Sequence, residues 1–200
     1  MSAYRYLALG DSYTIGESVH QNERWSMQLA KLLEVDGIQT EVTIIARTGW
    51  TVKELWNGIQ TNPPTGIYGL VTLLIGVNDQ YRDYPLSDYR DDFRFMLRKA
   101  IEYAGGNASK VVVLSIPDWG VTPFAKDRDR ELVGRQIDEF NAINLEETES
   151  AEAHYVDVTS ISRMAKEDAD LIAEDGLHPS RKMYSLWAEK VLPVAEEILK

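Results

Sequence analysis

The sequence predicts an α/β fold: a five-stranded parallel sheet covered by helices on both faces, a three-layer α/β/α sandwich in a single domain spanning residues 1–200. Two observations predict it. Short apolar and β-branched runs alternate along the chain with longer segments of helical periodicity, the order that produces right-handed crossovers and strands buried on both sides. The chain also has 200 residues, 44% of them hydrophobic and 26% charged, which suits one domain with a sizeable core.

Each element follows from its local pattern. Leu7 to Leu9 reads as a buried strand, and Gly10 lets the chain leave it sharply. From about Asn22 to Val35, Trp25, Leu29, Leu32 and Leu33 recur at helical spacing, with Gly37 as a stop. Glu41 to Ala46 is a second strand, and Thr51 with Glu54 forms a capping box for a short helix through Ile59. Asn62-Pro63-Pro64 breaks the chain before a third strand, Leu70 to Ile75, which ends in the turn Gly76-Val77-Asn78-Asp79.

Ser87 then caps a helix that buries Tyr89, Phe93, Met96, Leu97, Ala100 and Ala104, closed by Gly105-Gly106. Val111 to Ile116 is a fourth strand, feeding a loop through Phe124. A charged helix over roughly Asp127 to Glu149 points Leu132, Ile137, Phe140 and Leu145 inward. His154 to Val158 is a fifth strand, the 160s are a polar excursion, and a last helix begins near Ser180. That helix packs Met183, Trp187, Val191 and Ile198, and Pro193 is expected to kink or divide it.

Charge and composition narrow the function classes. With 21 basic and 32 acidic residues the net charge is −11, which repels phosphate backbones and argues against nucleic acid as a partner. There is no cysteine, so disulfides, thiolate catalysis and zinc–thiolate sites are excluded. No stretch approaches the roughly 18 apolar residues of a membrane span. The chain enters its first strand without the basic start and apolar run of a signal peptide, so the expectation is a cytoplasmic protein, monomeric or weakly self-associating.

The candidate chemistry starts at Ser12. A serine hydroxyl is a poor nucleophile until a base takes its proton, and the base in turn needs an orienting carboxylate. Of three histidines, His20, His154 and His178, only the last has a carboxylate three residues before it across a glycine, in Asp175-Gly176-Leu177-His178-Pro179. That spacing lets Asp175 bond one ring nitrogen while the other faces Ser12. Gly49, Asn78 and the Asp175/His178 loop fall where they can join Ser12 on one rim of the sheet, the rim where ligands bind in open α/β sheets. An anionic tetrahedral intermediate there can receive bonds from the Ser12 and Gly49 amides and the Asn78 side chain. Each piece taken singly is also ordinary turn composition; the order of all of them is what speaks.

In that order the chain resembles the SGNH hydrolases, the GDSL-type esterases and lipases. Their first block is similar to Gly10-Asp11-Ser12-Tyr13-Thr14, their second to Gly49, their third to Gly76-Val77-Asn78-Asp79 and their fifth to Asp175-Gly176-Leu177-His178-Pro179. Tyr13 stands where the family has leucine, a change expected to reshape the pocket wall. The resemblance implies a flavodoxin-like sheet, neither metal nor cofactor, and a small acyl ester as substrate: an acetylated carbohydrate, a lysophospholipid, a thioester or a short-chain ester. It implies that Ser12 attacks the acyl carbonyl, that His178 acts as general base and then acid, and that Asp175 holds the imidazole tautomer. Asp11 and Asp79 would hold the loops.

Trp50, Tyr81, Tyr84, Trp119 and Phe124 lie on loops at the same rim and either wall an acyl or sugar site or simply cover the sheet end. Arg82 is read either as an anion contact or as a solvated ion-pair partner. Two competing readings are a metal phosphoesterase using Asp11, Asp79, Asp175 and His178, and a binding module that has lost turnover.

Overall fold

Strand β1 (Tyr4–Gly10) lies inside a five-stranded parallel sheet of order β2-β1-β3-β4-β5, with β2 at Thr40–Ala46, β3 at Leu70–Leu74, β4 at Val111–Leu114 and β5 at His154–Val156. The structure is a computed structural model and describes residues 3–200. This strand order is the flavodoxin-like one, with its topological switch point between β1 and β3. The three central strands carry no polar alternation because both faces are covered: every residue from Leu70 to Leu74 and from Val111 to Leu114 is buried.

The helices divide between the two faces. Helices α2 (Trp25–Val35) and α8 (Arg181–Leu199) pack together on one, and α3 (Val52–Thr61), α5 (Leu86–Tyr103) and α6 (Arg130–Ser150) on the other. Short helices begin at strand ends: α1 (Ser12–Ile15) after β1, α4 (Val77–Tyr81) after β3 and α7 (Thr159–Arg163) after β5. The capping box expected at Thr51 and Glu54 is present.

Several local expectations are corrected. Ser87 does not cap α5, which starts at Leu86 behind Pro85. Leu132 and Leu145 are exposed, each one position off the inward stripe of Val133, Ile137, Phe140, Asn144 and Glu147. Two polar residues hold that stripe because they have partners: Tyr89 Oη donates to Asn144 Oδ1 at 2.6 Å, and Arg90 and Arg94 bond the Glu147 carboxylate at 2.7 Å. Pro193 neither ends nor divides α8. It sits on the exposed side, while Met183, Trp187, Val191, Ala195 and Leu199 anchor both halves of the helix to the core. Gly76 to Asp79 is not a free turn but the start of α4, and β5 ends at Val156. The 160s fold as α7 followed by single turns of 3₁₀ helix.

One contact sets the spacing at the switch point. A Cβ on Gly10 would fall 2.5 Å from the Leu74 carbonyl oxygen and 2.3 Å from Thr14 Oγ1, so β1 can turn into α1 beside β3 only without a side chain there. Gly10→Ala is therefore expected to destabilise the fold by about 1–3 kcal/mol, the usual cost of overpacking a closed site. Chemical denaturation checks it, and an unchanged midpoint would contradict it.

Candidate active site

Asp11 follows β1 and caps α1, its Oδ1 accepting from the Tyr13 amide at 3.0 Å. This puts Ser12 at the first helical position, where its backbone N–H has no intrahelical acceptor. Ser12 and His178 line one cavity of about 170 Å³ together with Gly49, Asn78, Tyr13, Thr48, Val77, Tyr81, Trp119, Phe124 and Leu177. Residues far apart in sequence thus converge at the carboxyl ends of β1 and β3.

The loop before α8 builds the acid–base pair. Asp175 Oδ1 accepts from the Leu177 and His178 amides, both at 2.9 Å, which curls the loop so that Oδ2 meets His178 Nδ1 at 2.6 Å. Ser18, at φ +65°, donates to the same Oδ2 at 2.7 Å. Burial alone would push the Asp175 carboxyl up, but the His178 ring, the two amides and Ser18 outweigh it and hold the group well below the usual carboxylate range. An ionised Asp175 requires Nδ1–H to donate, which leaves Nε2 of the neutral ring as a proton acceptor. The Tyr13 ring packs on the imidazole, centroids 5.3 Å apart, and His178 is buried.

The other two histidines stand elsewhere: His20 is exposed, and His154 Nε2 bonds the Ser109 carbonyl at the start of β5.

The remaining predicted residues divide. Gly49 lines the cavity at φ +83°, a left-handed conformation that favours glycine. Asn78 also lines it, but its amide already donates to Trp50 O at 2.9 Å and, at the long distance of 3.4 Å, to Asp11 Oδ2. The second proton is the one available for re-aiming toward an oxyanion. Tyr81, Trp119 and Phe124 form one aromatic wall, with centroids 5.4 to 6.2 Å apart, and Trp119 is fixed by donating to Gln80 at 2.7 Å.

Trp50 and Tyr84 do not line the cavity. The Trp50 indole lies over Gly58 of α3, where a Cβ would fall 2.1 Å from it. Arg82 is no anion contact: it pairs with Glu54 and donates to Gly49 O. Ser18 and the cavity residues Thr48, Val77 and Leu177 were not foreseen; a left-handed serine carries no signal in the spacing. Among the described residues no three metal-ligating side chains converge, so Asp11, Asp79, Asp175 and His178 do not form the metal cluster that a phosphoesterase needs.

Asp11 and Asp79 are fully buried behind this rim. Burial pushes Asp11 up to about 8, against its bond from the Tyr13 amide and helped by the Asp79 charge. Burial likewise pushes Asp79 up to about 7, against its bond from the Val52 amide at 3.2 Å. The resemblance implies that they hold loops; the bonds they make join helix starts instead: Asp79 of α4 accepts from the first residue of α3, and Asp11 ties the start of α1 to Asn78 of α4.

Comparisons with known proteins establish the family and the fold. The sequence matches the profile of the GDSL-like Lipase/Acylhydrolase family over residues 8–186. The chain belongs to that family. No curated protein matches the sequence. Among solved structures, TesA is 19% identical with a TM-score of 0.74, covering 98% of this chain and 99% of its own. Axe2, an acetylxylan esterase from Geobacillus stearothermophilus, is 18% identical with a TM-score of 0.75, covering 97% and 94%. The psychrotrophic esterase EstA from Pseudoalteromonas sp. is 18% identical with a TM-score of 0.69, covering 97% of each chain. At such identity the likeness establishes the fold, here that of a GDSL-like acylhydrolase. Among the described residues no helix is long and apolar enough to cross a membrane.

The raised carboxyls of this family member carry a pH consequence. Unfolded Asp11 ionises near its ordinary value of about 4, whereas the folded group keeps its proton up to about 8. The unfolded state therefore binds fewer protons in that window, and the stability present at low pH is lost as pH rises from about 4 to about 8. Asp11→Asn should flatten this part of the stability–pH curve while keeping the acceptor for Tyr13. Denaturation series on both proteins check it, and an identical slope would contradict it.

Proposed function

We propose that this acylhydrolase-family chain is a serine ester hydrolase for short acyl esters, working through an acyl-enzyme on Ser12. The observation that carries the reading is that His178, held by Asp175 at 2.6 Å, lines the same cavity as Ser12. Nε2 of His178 takes the Ser12 proton as Oγ bonds to the acyl carbon, and the carbonyl electrons move onto oxygen. That oxyanion is met by the Ser12 and Gly49 amides, with Asn78 re-aimed from Asp11. The electrons return, the C–O bond to the alcohol breaks, and His178 passes its proton to the leaving oxygen. Water repeats the sequence, releasing the acid and regenerating Ser12. Asp175 keeps its charge throughout and holds the ring through Nδ1.

The short acyl chain follows from size. A cavity of about 170 Å³ walled on one side by the Tyr81, Trp119 and Phe124 rings is small beside the roughly 300–1,000 Å³ of pockets for drug-sized ligands. The description of Axe2 as an acetylxylan esterase is in keeping with an acetyl ester.

A p-nitrophenyl ester series tests both parts. Rates should fall steadily from acetate to octanoate. Ser12→Ala should lower kcat by about 10⁴-fold or more, the scale of losing a triad member, with its circular dichroism unchanged. Full activity in Ser12→Ala would reject the serine mechanism, and a medium-chain optimum would reject the short acyl site.

A further inference from the structure

We infer that Arg82 is a positioning residue for the oxyanion hole, clamping the peptide of Gly49; this rests on the serine-hydrolase reading above. Gly49 is the one proposed donor carried by a glycine in a loop, and a glycine backbone rotates more freely than any other. Something must hold it for its amide to be preorganised.

Every peptide unit from Gly49 to Val52 is tied down by a hydrogen bond. Val52 N–H donates to Asp79, and Leu55 N–H donates to Thr51 O at 2.9 Å. Thr51 N–H donates to Glu54 Oε2 at 2.9 Å, and Asn78 Nδ2 donates to Trp50 O at 2.9 Å. Trp50 N–H donates to Arg47 O at 3.2 Å. The glycine's own carbonyl takes the shortest of these bonds, from Arg82 Nη2 at 2.6 Å. Among the described residues that bond is also the only side-chain hold on the unit next to the donor.

Arg82 reaches Gly49 O from the residue that caps α4, whose backbone N–H donates to Asn78 O at 3.1 Å. Its other nitrogen, Nη1, bonds both oxygens of Glu54, at 3.3 and 3.2 Å. The fork therefore spans from the capping box of α3 to the Gly49 carbonyl, from a base set by the same helix that carries Asn78. Two of the three oxyanion donors are thereby fixed relative to each other. A lysine, with one compact ammonium, can meet the carbonyl or the carboxylate but cannot present a planar fork to both.

A solvent-facing ion pair contributes little to stability, so a structural role and a positioning role separate in measurement. Arg82→Gln should keep the thermal midpoint and KM for p-nitrophenyl acetate near wild type. Its kcat should fall about 10-fold, less than the roughly 10²- to 10³-fold loss of deleting a donor outright. Its inhibition constant for phenylboronic acid, whose tetrahedral adduct occupies the oxyanion hole, should weaken by a similar factor. Arg82→Lys should fall between the two. Unchanged kcat and boronate affinity in Arg82→Gln, or equal losses in Arg82→Gln and Arg82→Lys, would overturn the clamp. Absence of any Ser12-dependent hydrolysis in the wild type would instead overturn the hydrolase reading beneath it.

Discussion

The close approach of two backbones at the switch point governs this molecule. Strand β1 lies between β2 and β3, and at Gly10 it passes the end of β3 with no room for a single carbon beyond the main chain. Because α1 and α4 start at those two strand ends, Ser12 and Asn78 necessarily face one cavity. The third contributor arrives from the other end of the chain, where α8 docks against α2 and delivers the Asp175–His178 loop to the same rim. Sheet geometry assembles the site, and the loops only finish it.

What finishes it is a buried polar framework. Asp11 and Asp79 have no solvent contact, and each receives a backbone amide from the first turn of a helix, Tyr13 of α1 and Val52 of α3. Such groups are costly to bury charged, which is why burial raises both. Asp175 moves in the opposite sense because it is only partly covered and accepts four hydrogen bonds. Neighbouring aspartates thus separate into two that favour the proton and one that favours the charge, and the charged one is the partner of the imidazole.

Much of this was legible in the sequence because it is written in short-range chemistry. Asp175 and His178 are three residues apart, and a glycine between them lets the loop curl. Buried strands show as apolar runs, and the Thr51–Glu54 box shows as a pair at fixed spacing. What escaped depends on where a side chain turns after the backbone is placed. Trp50 follows Gly49 directly, yet its indole leaves the rim to fill the gap at Gly58. Leu145 reads as inward because the true stripe there runs through the polar Asn144 and Glu147, whose partners sit on α5, and Leu132 because it stands beside an equally apolar residue, Val133, that takes the buried position. Ser18 reaches Asp175 across 157 positions of sequence, and no local pattern announces such a contact.

The account turns on a hydroxyl and an imidazole sharing one cavity so that the first becomes a nucleophile. Covalent labelling measures that directly: the chain is treated with a fluorophosphonate and the adduct is located by peptide mass spectrometry. A single phosphonyl group on Ser12 is expected, formed rapidly in the wild type and very slowly in His178→Ala. Labelling at another residue, or equal labelling of Ser12 with and without His178, would contradict it.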